Sequence, residues 1–272
     1  MFKNKQLGFI GGGAMAEALI RGIIKANLVQ PRQITVNDIA TSRLEYLSNS
    51  LAVNVNTSSI SVAEKSDIIF LCVKPHVIPS ALKTIASVVS ASQIVVSIAA
   101  GICIETLENY LPNAAIIRVM PNTPIAVSEG MSAIALGHKA TAETGELIST
   151  IFSSSGRSII VDEYAMNAVT GLSGSGPGYG FVIIDALADA GVRVGLPRQS
   201  AITLAAQTLL GAAKMVLETG EHPAKLRDMV TSPGGTTIAG IHILEQQGVR
   251  AALIDAVIAA TNRSIEMGKT NG

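Results

Sequence analysis

Residues Gly8-Phe9-Ile10-Gly11-Gly12-Gly13-Ala14-Met15-Ala16 set the spacing G-x-G-x-x-A, at Gly11, Gly13 and Ala16, between a short aliphatic run and an amphipathic helical pattern. Each small residue answers a steric need. Gly11 permits a tight turn, Gly13 lets a pyrophosphate approach the backbone, and Ala16 allows close helix–strand packing. Free N–H groups at the helix start then face the phosphates. The spacing alone is weak evidence, but its strand–turn–helix context points to a bound dinucleotide.

The rest of the first half repeats that unit. Aliphatic runs at Leu7–Ile10, Ile34–Val36, Ile68–Val73, Ile94–Ile98 and Ile116–Val119 alternate with helical patterns, a βαβ rhythm that predicts a doubly wound parallel sheet. Ligands in such sheets bind beyond the carboxyl ends of the strands. Two later runs, Ala133–Leu136 and Ser158–Val161, bracket a helical pattern from Ala142 to Phe152 and extend the sheet. From Glu163 onward the periodicity is helical: one long segment after Pro177, another from Arg198 to Glu218, and a last one from Arg250 to Met267. The fold class is therefore α/β: an N-terminal Rossmann-like domain over residues 1–162 and an all-α domain over 163–272.

The late helices are apolar on more than one face. Phe181-Val182-Ile183-Ile184 and Ala201-Ile202-Thr203-Leu204-Ala205-Ala206 leave little polar surface, and a helix that is apolar nearly all round must be covered. A small helical domain lacks the core to do this alone, so a second subunit is expected to complete it.

Charge narrows the ligand class. Lys plus Arg equal Asp plus Glu at 20 each, so no long-range basic field gathers nucleic acid and no polybasic run attracts anionic lipid. A small-molecule substrate is expected, with neither nucleic acid nor membrane as partner. Nothing from Thr84 to Ile104 is charged, yet five Ser and Gln side chains argue against a membrane span; a helix end, a turn and a buried strand explain it. The opening Met1–Gln6 has no apolar signal core, and a cytoplasmic protein is expected. Cys72 and Cys103, the only cysteines, form no CxxC pair or Cys/His cluster, so neither a disulfide framework nor a zinc site is suggested.

At the end of the second strand, Val36-Asn37-Asp38 carries mixed signals. Asp38 would grip the ribose hydroxyls of NAD and repel the extra phosphate of NADP, while Arg43, about a turn into the next helix, can reach a phosphate or face solvent.

The segment Ser232-Pro233-Gly234-Gly235-Thr236-Thr237 reads as an anion nest. Pro233 stops the preceding helix, Gly234 and Gly235 free the backbone, and a new helix begins at Thr236-Thr237-Ile238. Exposed N–H groups and two hydroxyls suit the carboxylate of a small amino-acid-like substrate. An ordinary capped helix is the alternative.

Several motifs together carry a resemblance: Lys74-Pro75-His76; Ser97-Ile98-Ala99-Ala100-Gly101; Met120-Pro121-Asn122-Thr123-Pro124; Gly171-Leu172-Ser173-Gly174-Ser175-Gly176-Pro177; and the nest. In this order, along essentially the whole chain, they resemble the pyrroline-5-carboxylate reductase family. The resemblance implies a C-terminal helical dimerisation domain, dimers or rings of dimers, and reduction of 1-pyrroline-5-carboxylate to L-proline, usually with NADPH preferred. It implies a cofactor site at Ile10, Gly11, Gly12, Gly13, Ala14 and Met15, at Cys72, Val73, Lys74 and Pro75, and at Ser97, Ala99 and Ala100. It implies substrate contacts at Glu163, Ser175, Gly234, Gly235, Thr236 and Thr237. Asn37 and Ser59 also fall at cofactor positions but depart from the family pattern: Ser59 replaces a common Asn, and Asn37-Asp38 replaces a Ser/Thr-rich turn. Thr237 is the catalytic candidate, an orienting donor to the ring nitrogen or a relay to water, because a threonine hydroxyl is a poor acid near neutral pH.

Other readings stay open. A β-hydroxyacid dehydrogenase would carry a lysine acid in the pattern G-x-x-G-x-G-x-x-x-K; Gly171, Gly174 and Gly176 fit it, but Gly180 stands in the lysine's place. A dinucleotide sensor would keep the fold without turnover. The run Gly171–Ser175 lacks the closing glycine of a nucleophile elbow and reads as a turn leading into a helix. His76, His222 and His242 pair with no carboxylate or nucleophile in sequence and read as caps, surface or packing residues.

Overall fold

The computed structural model describes residues 2–271, with side chains described as far as Lys269. Among the described residues, β1 (Leu7–Ile10), β2 (Ile34–Asn37), β3 (Asn54–Asn56), β4 (Ile68–Leu71), β5 (Ile94–Ser97), β6 (Ala115–Pro121), β7 (Gly130–Leu136) and β8 (Gly156–Ile160) form one sheet. Its order is β3-β2-β1-β4-β5-β6-β7-β8. All neighbours run parallel except β6 and β7. That exception has a simple cause: the link from Asn122 to Glu129 is too short for the crossover a parallel partner needs.

The strand interiors alternate between two cores, as the period of two requires. Phe9, Phe70, Val96 and Ile117 face α1 (Ala14–Lys25), α2 (Thr41–Leu51) and α6 (Ala142–Ser153). Phe9 and Phe70 stack at 4.6 Å between centroids, with Phe152 of α6 tilted against Phe70 at 6.4 Å. On the other face Ile69, Leu71, Val95 and Ile116 meet α3 (Ser59–Lys65), α4 (Ile78–Ile85), α5 (Ile104–Tyr110) and Met166, which opens α7 (Met166–Val169). Leaving such side chains in water would cost about 1.5–3 kcal/mol each, so both faces are sealed and only the strand ends remain for ligands.

Three features differ from the sequence reading. β3 was not foreseen: it is three residues with a single apolar side chain, on a sheet edge where polar residues are the rule. The run Ile68–Val73 leaves the ladder at Leu71, because the chain turns toward Pro75. Gly171–Ser175 is no turn: Thr170–Gly174 forms one wide π-type coil after α7, closed by the Ser175 N–H donating to the Thr170 carbonyl at 2.8 Å.

Packing divides the chain into two compact units, Met1–Ser175 with Ala259–Gly272, and Gly176–Ile258. The change from strand to helix near Glu163 and the change of packing unit near Gly176 are thus separate boundaries. The second unit contains α8 (Gly176–Arg193), α9 (Arg198–Thr219), α10 (Pro223–Met229), α11 (Thr236–Gln246) and the start of α12 (Val249–Asn271). α8 and α9 pack closely; a Cβ on Gly191 would lie 2.8 Å from that of Ala201. Yet Phe181, Val182, Leu204, Leu210 and Ile254 stay more than half exposed. α9 is long and apolar enough to cross a membrane by length and composition alone.

Candidate active site

The strand order reverses at β1, between β2 and β4, and such a switch point opens a crevice at the carboxyl ends. The strand ends here are tied together. The Gly11 N–H donates to the Asn37 carbonyl at 2.8 Å, the Cys72 N–H to Ile10 at 2.8 Å, and the Ile98 N–H to Leu71 at 3.2 Å. All cofactor positions expected from sequence lie at or just after the carboxyl ends of β1 to β5 and so share this edge.

The glycines divide by function. Gly11 has φ +100°, and a Cβ there would lie 2.8 Å from the Cys72 carbonyl. Gly12 is closed by Leu47, 2.9 Å from its notional Cβ. At Gly13 no atom lies within 4 Å of that position, and no side chain caps α1 there. Gly13 and Ala14 are exposed and Met15 half-buried at this helix start. Open space before free N–H groups fits a pyrophosphate, so the chain's residues suit a dinucleotide.

The other expected positions lie along the same edge. Asn37 is 8% exposed and its amide donates to the Asn56 carbonyl at 3.0 Å, so its side chain binds β3 rather than facing the crevice. Ser59 opens α3 just after the cap Ser58, whose hydroxyl accepts from the Ser61 N–H. Lys74 is exposed before a short turn at Pro75–Val77, with Val73 and Pro75 half-buried. The Ser97 hydroxyl accepts from the Ala99 N–H at 3.3 Å, and Ala100 follows half-buried. Cys72 is half-buried, and desolvation pushes its thiol above the ordinary value.

Asp38 and Arg43 both lie beside the glycine loop. Asp38 accepts from the Gly12 N–H at 2.7 Å and the Ala40 N–H at 2.9 Å. Arg43 donates to the Gly12 carbonyl and to Glu17. It is therefore engaged with protein, not a solvated helix face.

Asn122 follows directly after β6, a position for which the sequence motif alone implies no role. Its amide donates to the Ser173 carbonyl at 3.1 Å and accepts from the Met131 N–H at 2.8 Å. It thus ties β6 and β7 to the π-type coil that leads to Ser175. Gly174 lies against the Met120 side chain, whose Cε is 2.8 Å from where a Cβ would stand.

Glu163 has structural partners. Its Oε1 accepts from Arg118 at 2.7 Å and from the Ile104 N–H at 3.1 Å, at the start of α5. Arg118 is a buried cation within β6, its side chain 6% exposed, so the pair relieves a desolvated charge. Among the described residues the second oxygen, Oε2, is buried without a partner. A charged residue amid Ile116-Ile117 and Val119 was the available sequence signal for this pair.

The nest belongs to the second unit. α10 ends at Met229, ahead of Pro233; Gly234 takes φ +67°, and the Gly235 N–H donates to Ser232 at 3.0 Å. α11 then starts at Thr236 with no side-chain cap, and both Thr236 and Thr237 are exposed with uncommitted hydroxyls. Gly235 is the N-cap residue, so no side chain occupies the cap position. His222 is a cap, as expected, its Nδ1 accepting from the Ala224 N–H.

Comparison with known proteins agrees with both halves. Residues 163–267 match the family described as pyrroline-5-carboxylate reductase dimerisation, and residues 6–101 match NADP oxidoreductase coenzyme F420-dependent. The chain is similar to a pyrroline-5-carboxylate reductase of Methanosarcina acetivorans, 48% identical over 98% of this chain and 99% of that protein. It superposes on the solved reductase from Coxiella burnetii with TM-score 0.92 and 34% identity, covering 97% and 98% of the two chains. The Plasmodium falciparum pyrroline carboxylate reductase, solved with NADP bound, gives TM-score 0.87 and 32% identity over 98% and 100%. Likeness of this degree, running through the sheet and the helical region alike, makes the chain a member of the pyrroline-5-carboxylate reductase family.

Proposed function

We propose that the chain reduces 1-pyrroline-5-carboxylate to L-proline with NADPH, the last step of proline synthesis. A dinucleotide edge alone would fit many dehydrogenases; the substrate reading is supported by the match of residues 163–267 to the reductase dimerisation family and by the Gly-rich start of α11, where the Thr236 and Thr237 side chains are exposed. The N–H groups there, after the Gly234-Gly235 turn, hold the substrate carboxylate. The family reading also assigns Glu163 and Ser175 substrate contacts. Thr237 donates to the ring nitrogen and passes on a proton from water, which an imine needs less urgently than a ketone.

Gly11, Gly13 and the α1 start would hold the cofactor pyrophosphate, and residues 72–75 and 97–100 would line its nicotinamide side. When bound, NADPH supplies the hydride for the C=N carbon, and the protein's main work is alignment. The exposed apolar faces of α8 and α9 support assembly with a second copy, as a dimer or a ring of dimers, over insertion in a membrane. Free cysteines and a nucleotide cofactor support a cytoplasmic enzyme.

The test is oxidation of NADPH and of NADH by purified protein with 1-pyrroline-5-carboxylate, with a 2-keto acid, and a 3-hydroxy acid plus oxidised cofactor, as controls. Turnover with the imine alone is expected. Turnover of the hydroxy acid would favour the dehydrogenase reading, and tight cofactor binding without turnover the sensor.

A further inference from the structure

NADPH and NADH differ only by a phosphate on the adenosine ribose, and this chain carries both kinds of side chain that read the difference. An acid at the end of β2 suits ribose hydroxyls, whereas a nearby arginine suits the phosphate. Which of them acts depends on what holds each.

Asp38 is fixed by backbone alone, through the Gly12 and Ala40 N–H groups. Each carboxylate oxygen still has a lone pair for a ribose hydroxyl. Arg43 is held quite differently. Its Nε donates to the Gly12 carbonyl, its Nη2 to Glu17 Oε2, and its guanidinium lies 5.0 Å over the Tyr46 ring. Glu17 is only 17% exposed and is itself fastened by Arg21, at 2.8 Å and 2.9 Å, and by the Tyr46 hydroxyl at 3.1 Å. To meet a phosphate, Arg43 would have to leave a short, charge-assisted contact and strand the inner oxygen of Glu17.

We propose that Glu17 withholds Arg43 from the adenosine phosphate, leaving Asp38 to face the ribose, so that the chain discriminates little between NADPH and NADH. This rests on the reductase reading above. It makes Glu17, on the helix behind the glycine loop, a residue that sets cofactor choice through Arg43.

The test is titration of NADPH and NADH without substrate, followed by the fluorescence of the reduced nicotinamide, with folding checked by circular dichroism. The ratio of the two dissociation constants cancels any general damage to the loop. Expected are a wild-type ratio within about tenfold of one, little change (under about threefold) in Arg43→Ala, and a shift toward NADPH of about tenfold in Glu17→Gln. Asp38→Asn, which keeps an acceptor but loses the charge, should shift the ratio the same way and serves if Glu17→Gln does not fold. A wild-type preference beyond about tenfold, a clear move toward NADH in Arg43→Ala, or an unmoved ratio in the two acid variants overturns the inference. Binding of neither nucleotide would overturn the reductase reading with it; normal imine turnover with the wrong ratios would sink this inference alone.

Discussion

Gly11 and Gly13 stand two residues apart in one loop, yet the structure predicts opposite consequences for adding a single methyl group to each. At Gly13 the backbone is extended, with φ −64° and ψ −178°, and the added carbon meets nothing within 4 Å. Exchanging Gly for Ala at a helix N-cap costs about 0.5–1 kcal/mol. Stiffening the unfolded chain returns about 0.4–1 kcal/mol. The two nearly cancel, so Gly13→Ala should melt within a few degrees of wild type. What it loses is the phosphate's approach to the α1 N–H groups, worth about 1.5–3 kcal/mol for a hydrogen bond to a charged group. The cofactor dissociation constant should therefore rise about 10- to 100-fold. Gly11→Ala places the same carbon at φ +100°, 2.8 Å from the Cys72 carbonyl. Left-handed backbone costs about 1–2 kcal/mol, and displacing a neighbouring strand end about 1–3 kcal/mol more. That sum lowers Tm by roughly 5–15 °C in a chain of this size. Calorimetry and nucleotide titration on both variants decide the matter. A Gly13→Ala protein that binds NADPH like wild type, or that melts as early as Gly11→Ala, would refute the assignment of the open space to the pyrophosphate.

The remaining predictions concern three side chains. Thr237→Ala should lower kcat/KM for the imine about 10- to 100-fold with cofactor affinity unchanged, and Thr237→Ser should restore most of it; steady-state kinetics with a parallel binding titration would show it. Glu163→Ala leaves Arg118 buried and unpaired, and since Glu163 is itself a third exposed the loss should be near the low end of the about 3–5 kcal/mol known for broken buried pairs, read by urea denaturation. Burial alone would raise the Glu17 carboxyl, but hydrogen bonds from Arg43, Arg21 and Tyr46 outweigh it and hold the group below its ordinary value. Its stabilising contribution is then present above the unfolded pKa and lost as pH falls through the lowered folded value, so in denaturation at each pH wild type and Glu17→Gln should differ constantly above the ordinary carboxylate range and converge as pH falls below it.

Local sequence determined much of this protein without help. The spacing of Gly11, Gly13 and Ala16 and the aliphatic runs at β1, β2, β4, β5 and β6 are short-range signals, since buried parallel strands must be apolar throughout and a phosphate loop must be small. The helix start at Thr236 was legible for the same reason: Pro, two Gly and two Thr restrict a few consecutive backbone angles. The helices after Gly176 declared their apolar faces through composition along one segment. What only the tertiary structure decided involves residues far apart in the chain. β3 pairs because β2 offers it an edge, not because Asn54-Val55-Asn56 favours a strand. The antiparallel return of β7, the tie of Asn122 to a π-type coil some fifty residues later, and the match of Arg118 to Glu163 all depend on partners that no local pattern announces. The same holds at the ribose end of the crevice: sequence placed Asp38 and Arg43 within reach of the cofactor, but their occupation by backbone N–H groups and by Glu17 follows from the packing of α1 against α2.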